Sequence, residues 1–331
     1  MKNLFNYATK ELSQDAFLMW LFENYDDSEL GEIANALLGN FCNFQKDEKV
    51  HSLETVAQWC KIDITVWMTT TFNRKIVLCI EDKTFSNEHN QLSTYNAHID
   101  GVSDHTKYKI FYKTSRLEDD EKERVKASGW RIVDIDEINA FWEKYQSCTN
   151  LIVSQYAQYV NKIAIAINNK SKPQESKTIA DFLSWKSYFE NIVIPVLKKD
   201  FGSSCHFGSW KAGQYPYVVL YIKKEGFGTR NIPYLEIRSR DCCNNKALAR
   251  ILCYGVSDED LAKNQQKLID NIKAIPEYEC KGLVTSHKGK NIHPKQVGYS
   301  KTFENIETNE QFIGFTKKYI DLYLQAMQEW S

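Results

Sequence analysis

Along the 331-residue chain the spacing of apolar positions changes several times, and each change marks a new element. Between Leu12 and Tyr25 the apolar residues Leu12, Ala16, Met19, Trp20, Phe22 and Tyr25 recur at helical intervals. Ser28–Phe41 repeats the pattern with Leu30, Ile33, Leu37, Leu38 and Phe41, and Ser28 is the expected N-cap. The period then shortens. Glu54–Cys60 is a short, mixed strand candidate, Ile62–Thr70 is rich in strand-forming residues, and Lys75–Thr84 is a nearly unbroken apolar run, as expected for a central strand. Thr71-Phe72-Asn73-Arg74 is a turn, so the last two strands should form an antiparallel hairpin.

Helix and strand patterns alternate after the hairpin. Asn87–Val102 reads as a helix, Lys107–Thr114 as a strand and the charged run Arg116–Lys126 as a solvated helix. Trp130–Val133 reads as a strand, with a helix from Asp136 onward. This order predicts an α/β, or mixed α+β, fold: a central mixed sheet flanked by helices. The polar stretch Asn168–Ser176 breaks the periodicity and is the expected linker, dividing the chain into domains at 1–170 and 177–331. The second half reads as α+β. Helices are expected over about Ile179–Lys199, Asp258–Ile272 and Asn309–Trp330. Strands are expected near Val218–Lys223, Tyr234–Arg238 and Ala247–Tyr254, and Cys280–Lys301 reads as basic loop and strand.

Composition narrows the class without naming a function. A net charge of −1 excludes a strongly cationic nucleic-acid coat but not a local basic groove. The nine cysteines show no CxxC pair, which argues for reduced thiols in a cytoplasmic protein and against a zinc site. No apolar run reaches bilayer length, so no membrane is expected as a partner.

The chemistry concentrates between Ile62 and Tyr95. The apolar strand ends on Glu81-Asp82-Lys83, and charges at the end of a buried strand are costly unless paired or holding a metal. Strand alternation turns Glu81 and Lys83 to one face and Asp82 to the other. The hairpin brings Asp63, at the start of its strand, toward the end of the next. Two carboxylates and the Asp82 carbonyl make an all-oxygen donor set, suited to Mg²⁺ or Mn²⁺. Lys83 would orient a water or stabilise charge on a phosphorane. Gln91 and Tyr95 follow at i, i+4, while Glu11 and Asp15 supply acids one turn apart on the first helix.

Taken together, Glu11, Asp63, Glu81-Asp82-Lys83 and the Gln91-x-x-x-Tyr95 spacing resemble the PD-(D/E)XK nuclease superfamily, in particular its RecB-like branch. The runs E-L-S-Q-D-A-F-L-M-W-L and I-E-D-K-T…H-N-Q-L-S-T-Y look like a bacterial family within it. Ile62 stands where the family name has proline. The resemblance implies a restriction-endonuclease-like core and a metal-dependent nuclease acting on DNA, with RNA as an alternative. It implies Asp63 and Glu81 as metal ligands with Glu11 completing the shell, Lys83 assisting the attacking water, and Gln91 and Tyr95 supporting Lys83 or touching a phosphate. A homodimer or a larger defence or repair assembly stays open. The competing readings are a nucleic-acid-binding subunit with weak or lost catalysis, and an interaction protein whose charges form only salt bridges. Lys107, Lys109 and Lys113, and in the second half Trp210, Tyr215, Tyr217 and the basic loop Lys281–Lys301, are candidate nucleic-acid contacts.

Overall fold

The computed structural model describes residues 3–6, 11–84, 90–212, 217–225, 233–254, 263, 266–268, 270–271 and 296–328. The chain forms two compact units, Met1–Ile165 and Ala166–Ser331.

The first unit is built on a five-stranded mixed sheet flanked by helices. In chain order it contains α1 (Glu11–Glu23), α2 (Gly31–Cys42), β1 (Val50–Trp59), β2 (Ile62–Thr70), β3 (Lys75–Lys83), α3 (Leu92–Asp100), β4 (Thr106–Lys113), α4 (Asp119–Ala127), β5 (Arg131–Val133) and α5 (Ile135–Trp142). α6 (Leu151–Ile167) follows and runs across the boundary between the units. The strands lie in sequence order, β1-β2-β3-β4-β5. β1, β2 and β3 pair antiparallel through hairpins. β3, β4 and β5 pair parallel, with α3 and α4 as the crossovers that parallel strands require. Only Lys75 of β3 is exposed, because both faces of this strand are covered.

One face packs on α3 and α4 through Val77, Cys79, Leu92, Tyr95, Ile99, Phe111, Val125 and Trp130. The other carries stacked aromatic residues, with Phe17 of α1 and Tyr156 of α6 at 4.0 Å between ring centres. Burial in this interior removes thiols from acid–base chemistry; the Cys79 thiol is pushed up to about 12.

Two local expectations change. The backbone N–H groups ahead of α2 are satisfied by Asp27 rather than Ser28, its carboxylate accepting from Glu29 and Leu30 at 2.8 Å each. The charged run is a helix, but not a fully solvated one. Glu121 is completely buried and meets Lys113 of β4 at 3.2 Å. A charge can occupy that position only because its partner is buried with it.

The second unit contains α7 (Ile179–Tyr188), α8 (Ile194–Phe201), β6 (Cys205–Ala212), β7 (Tyr217–Lys224), β8 (Tyr234–Arg238), β9 (Ala247–Tyr254), β10 (Gln296–Phe303) and α9 (Asn309–Ala326). Its five strands are antiparallel in the order β10-β9-β8-β7-β6. The long helix expected over Ile179–Lys199 is divided by a π turn at Phe189–Val193, directly before the proline in the first turn of α8. Pro195 has no N–H to continue the α-helical ladder, and the backbone widens ahead of it. β6, with His206, Gly208 and Ser209, has little strand propensity and was not expected.

The stretch read as a linker is irregular but tied down within this unit. Lys172 is buried and donates to the Cys242 carbonyl at 2.8 Å, and the Gln174 carbonyl accepts from Asn244. Of the helix expected over Asp258–Ile272, the described positions are helical. Most of the basic loop, residues 281–295, lies outside the described residues, as does Tyr215.

Candidate acid–lysine site

The site is assembled by the two hairpins of the first sheet. β1 and β2 are joined by Cys60 and Lys61, with φ of 51° and 73°, the left-handed pair that a two-residue hairpin requires. Gln58 also has positive φ, at 56°. Three L-residues in this region put backbone strain immediately before Asp63. Gln58 uses its position to donate Nε2 to Asp63 Oδ1 at 2.9 Å.

Across the second hairpin Ile64 pairs with Ile80 and Thr65 with Cys79, so the next step in register sets Asp63 opposite Glu81. The other oxygen of Asp63 accepts from the Asp82 backbone N–H at 3.0 Å. Both oxygens of Asp63 are therefore held.

Glu81 and Lys83 point to the same face as Asp63. Lys83 Nζ lies 2.5 Å from Glu81 Oε1 and 3.6 Å from Asp63 Oδ2, and it donates to the Asp82 carbonyl at 3.2 Å. One ammonium thus bridges two carboxylates. Gln91, at the residue before α3, donates to the same Oε1 of Glu81. The other Glu81 oxygen, Oε2, is buried and has no hydrogen-bond partner among the described residues. Burial, with the neighbouring charge of Asp63 second, pushes the Glu81 carboxyl up to about 8. The site is closed around Glu81, and Asp63 and Lys83 beside it are only slightly exposed, their side chains at 16% and 10%.

Asp82 faces the other way, as strand alternation predicts. Its carboxylate accepts from Gln14 of α1. Gln14 in turn accepts from Tyr156 at 3.1 Å, whose hydroxyl is 3.2 Å from that of Tyr112, and Tyr112 accepts from Trp142 Nε1 at 3.3 Å. The Asp82 carboxylate therefore belongs to a buried polar network that joins β3 to α1 and α6. Only its backbone reaches the acid–lysine side, where Asp63 takes the N–H and Lys83 the carbonyl.

Tyr95 lies in the hydrophobic cluster beneath α3, with its ring centre 6.4 Å from that of Trp130. Gln91 and Tyr95 thus play different parts. The glutamine holds Glu81, and the tyrosine packs the helix that carries the glutamine. Glu11 opens α1, three residues before Gln14; its side chain lies outside the described residues. Among the described residues no third carboxylate, histidine or cysteine joins Asp63 and Glu81. The strand lysines are engaged locally. Lys113 meets Glu121, Lys109 donates to Asn96 at 2.9 Å, and Lys107 donates to the Asp100 carbonyl at 2.8 Å.

Sequence reading missed Gln58 and Gln14. Gln14 lies three residues after Glu11 in the same predicted helix, and a buried glutamine on an otherwise apolar helix face is the signal that could have found it. Nothing in the local pattern distinguishes Gln58 from any other strand glutamine.

Comparison of the chain with protein-family models, with curated proteins and with solved structures gave no match. Among the described residues no helix is long and apolar enough to cross a membrane.

Proposed function

We propose that the first unit is a nuclease that hydrolyses phosphodiester bonds, with DNA as its substrate and a divalent cation as its cofactor. The observation that carries this reading is the pair Asp63 and Glu81, bridged by one lysine, with the oxygen Oε2 of Glu81 buried and given no donor among the described residues. When both carboxyls are ionised, one ammonium between them leaves a net negative charge, and burial makes that ionised state of Glu81 costly unless a cation satisfies it. The donors are all oxygen, which fits Mg²⁺ or Mn²⁺ and not zinc.

Asp63 and Glu81 would hold the ion, with Glu11 at the head of α1 as the further acid. When bound, such an ion polarises a phosphoryl oxygen and lowers the pKa of a coordinated water. Lys83 holds its proton at Nζ on the slightly exposed edge of the site, where it can orient a water and stabilise charge developing on phosphate. Gln58 and Gln91 each fix one carboxylate, so the donor pair needs little rearrangement. We place this activity in the cytoplasm, where unpaired thiols such as Cys42 and Cys79 stay reduced.

Labelled single- and double-stranded DNA and RNA, incubated with Mg²⁺ and with EDTA, test the proposal. Cleavage of DNA that requires Mg²⁺ and disappears in Asp63→Ala is the expected result. Binding without cleavage, unchanged in Asp63→Ala, would reject it.

A further inference from the structure

We infer that the sheet of the second unit carries a stacking surface for single-stranded nucleic acid, formed by Trp210, Tyr221 and His206. The inference rests on residues of that unit alone and does not depend on the acid–lysine site.

Directly paired residues in an antiparallel sheet point to the same face. On one face of this sheet Ser209 donates to Glu190 at 2.6 Å, and Phe303 packs on Phe315 and Tyr319 of α9 at 4.9 and 5.7 Å between ring centres. That is the face the helices cover. His206, Gly208 and Trp210 alternate with these residues along β6 and point to the opposite face. Their partners in β7 are Lys223, Tyr221 and Val219.

Tyr221 does not stand upright on its strand. It leans across β6 over Gly208, where an added Cβ would come within 2.4 Å of its hydroxyl oxygen. The absence of a side chain at Gly208 is what allows the ring to lie there. Tyr221 therefore fills the gap between the two rings of β6, with centres 6.1 Å from His206 and 6.0 Å from Trp210. Three aromatic rings run in a row along the edge strand of the sheet. Trp210 is 46% exposed, an unusual position for the largest apolar side chain.

Cations flank the row. Lys223 Nζ stands 5.7 Å from the centre of the Tyr221 ring, and Arg240 lies 4.3 Å over Tyr217. Arg238, next to Val219, is paired with Glu236, while Arg250 meets Asp241 at 2.6 Å; Arg240 lies 3.9 Å from the same aspartate. Among the described residues, Lys223, Arg238, Arg240 and Arg250 outnumber Glu236, Asp241 and Glu225, so the balance around the rings is positive. The exposed rings of His206 and Trp210 on the edge strand, with the half-buried Tyr221 between them and positive charge adjacent, suit a polymer that offers flat bases and phosphates together. A sheet surface of this kind accommodates two or three unpaired bases, whereas a duplex keeps its base faces stacked internally. No hydrogen-bonding code is needed, so the expected binding is tolerant of sequence.

The test uses the full chain in EDTA, which separates binding from any cleavage. Fluorescence anisotropy is followed on a fluorescein-labelled oligothymidine of about 20 nucleotides and on a duplex of equal length. The oligothymidine should bind more tightly than the duplex and quench tryptophan emission. Trp210→Ala and Tyr221→Ala should each weaken binding about tenfold, and Lys223→Ala should reduce its dependence on salt. Gly208→Ala, which displaces Tyr221 without removing a ring, should weaken it as well. Asp63→Ala should bind like the parent. Because Trp210 is exposed, its replacement should leave the thermal melt unchanged. Affinity unaltered in both Trp210→Ala and Tyr221→Ala would overturn the assignment. So would preference for the duplex, or capture of a soluble oligosaccharide in place of the oligothymidine. Loss of Mg²⁺-dependent cleavage with oligothymidine binding intact would refute only the reading of the first unit.

Discussion

The side-chain amide of Gln91 donates to Oε1 of Glu81, the same oxygen that takes Nζ of Lys83. Two donors therefore hold one carboxylate oxygen and turn the other toward the interior. In the nuclease reading Gln91 is a positioning residue. Gln91→Ala should lower DNA cleavage about 10- to 100-fold, the range found when a residue orienting a metal ligand is removed. It should also raise the Mg²⁺ concentration needed for half-maximal rate. A lower rate at saturating Mg²⁺ with an unchanged requirement would point to structural damage alone.

The Glu81 carboxyl, pushed up to about 8 by burial and then by the charge of Asp63, makes stability depend on pH. A carboxyl whose folded pKa lies above its unfolded value stabilises fully below the unfolded value, about 4.3, and loses that contribution as pH rises through about 8. The protein in EDTA should therefore melt progressively lower between pH 5 and pH 9. Glu81→Gln cannot ionise and should flatten the profile, so its melting temperature should fall less than the parent's between pH 5 and pH 9. Thermal melts across this range, followed by circular dichroism, check the sign. A parent protein that becomes more stable as the pH rises would contradict it.

Cation binding should reverse the same penalty. At pH 8, Mg²⁺ or Mn²⁺ should raise the melting temperature of the parent, stabilising it by roughly 2.7 kcal/mol at a hundred times the dissociation constant. Asp63→Asn and Glu81→Gln should abolish the response, while Tyr95→Phe should keep it. Melting curves with and without chelator distinguish these outcomes.

Lys113 and Glu121 form a fully buried pair between β4 and α4. Glu121→Ala should cost about 3–5 kcal/mol in urea unfolding, because it breaks a buried ion pair from one side. The double replacement Lys113→Met, Glu121→Leu should recover most of that loss, since well-packed apolar residues substitute for buried ion pairs.

Much of the first unit was legible along the chain because its determinants are local. Lys75 to Ile80 alternates almost no polar residue, so a central strand follows, and the period of two then places Glu81 with Lys83 and opposite Asp82. The four-residue turn implies antiparallel pairing and hence the meeting of Asp63 with Glu81. The mixed sheet follows from the alternation of helices and strands after it.

Other features depend on residues distant in sequence. Glu121 reads as solvated because its neighbours Asp119, Asp120 and Lys122 are charged, whereas its burial goes with the approach of Lys113 from β4. Gln14 and Tyr156 are separated by 142 residues and meet through the packing of α1 against α6. β6 is a strand because β7 supplies its hydrogen bonds, which its own composition does not anticipate. The sequence by itself determined which charges share a face, since side-chain direction repeats every two residues in a strand. The tertiary structure alone decided which amides hold those charges and which are buried with partners, since such contacts arise only when distant segments pack together.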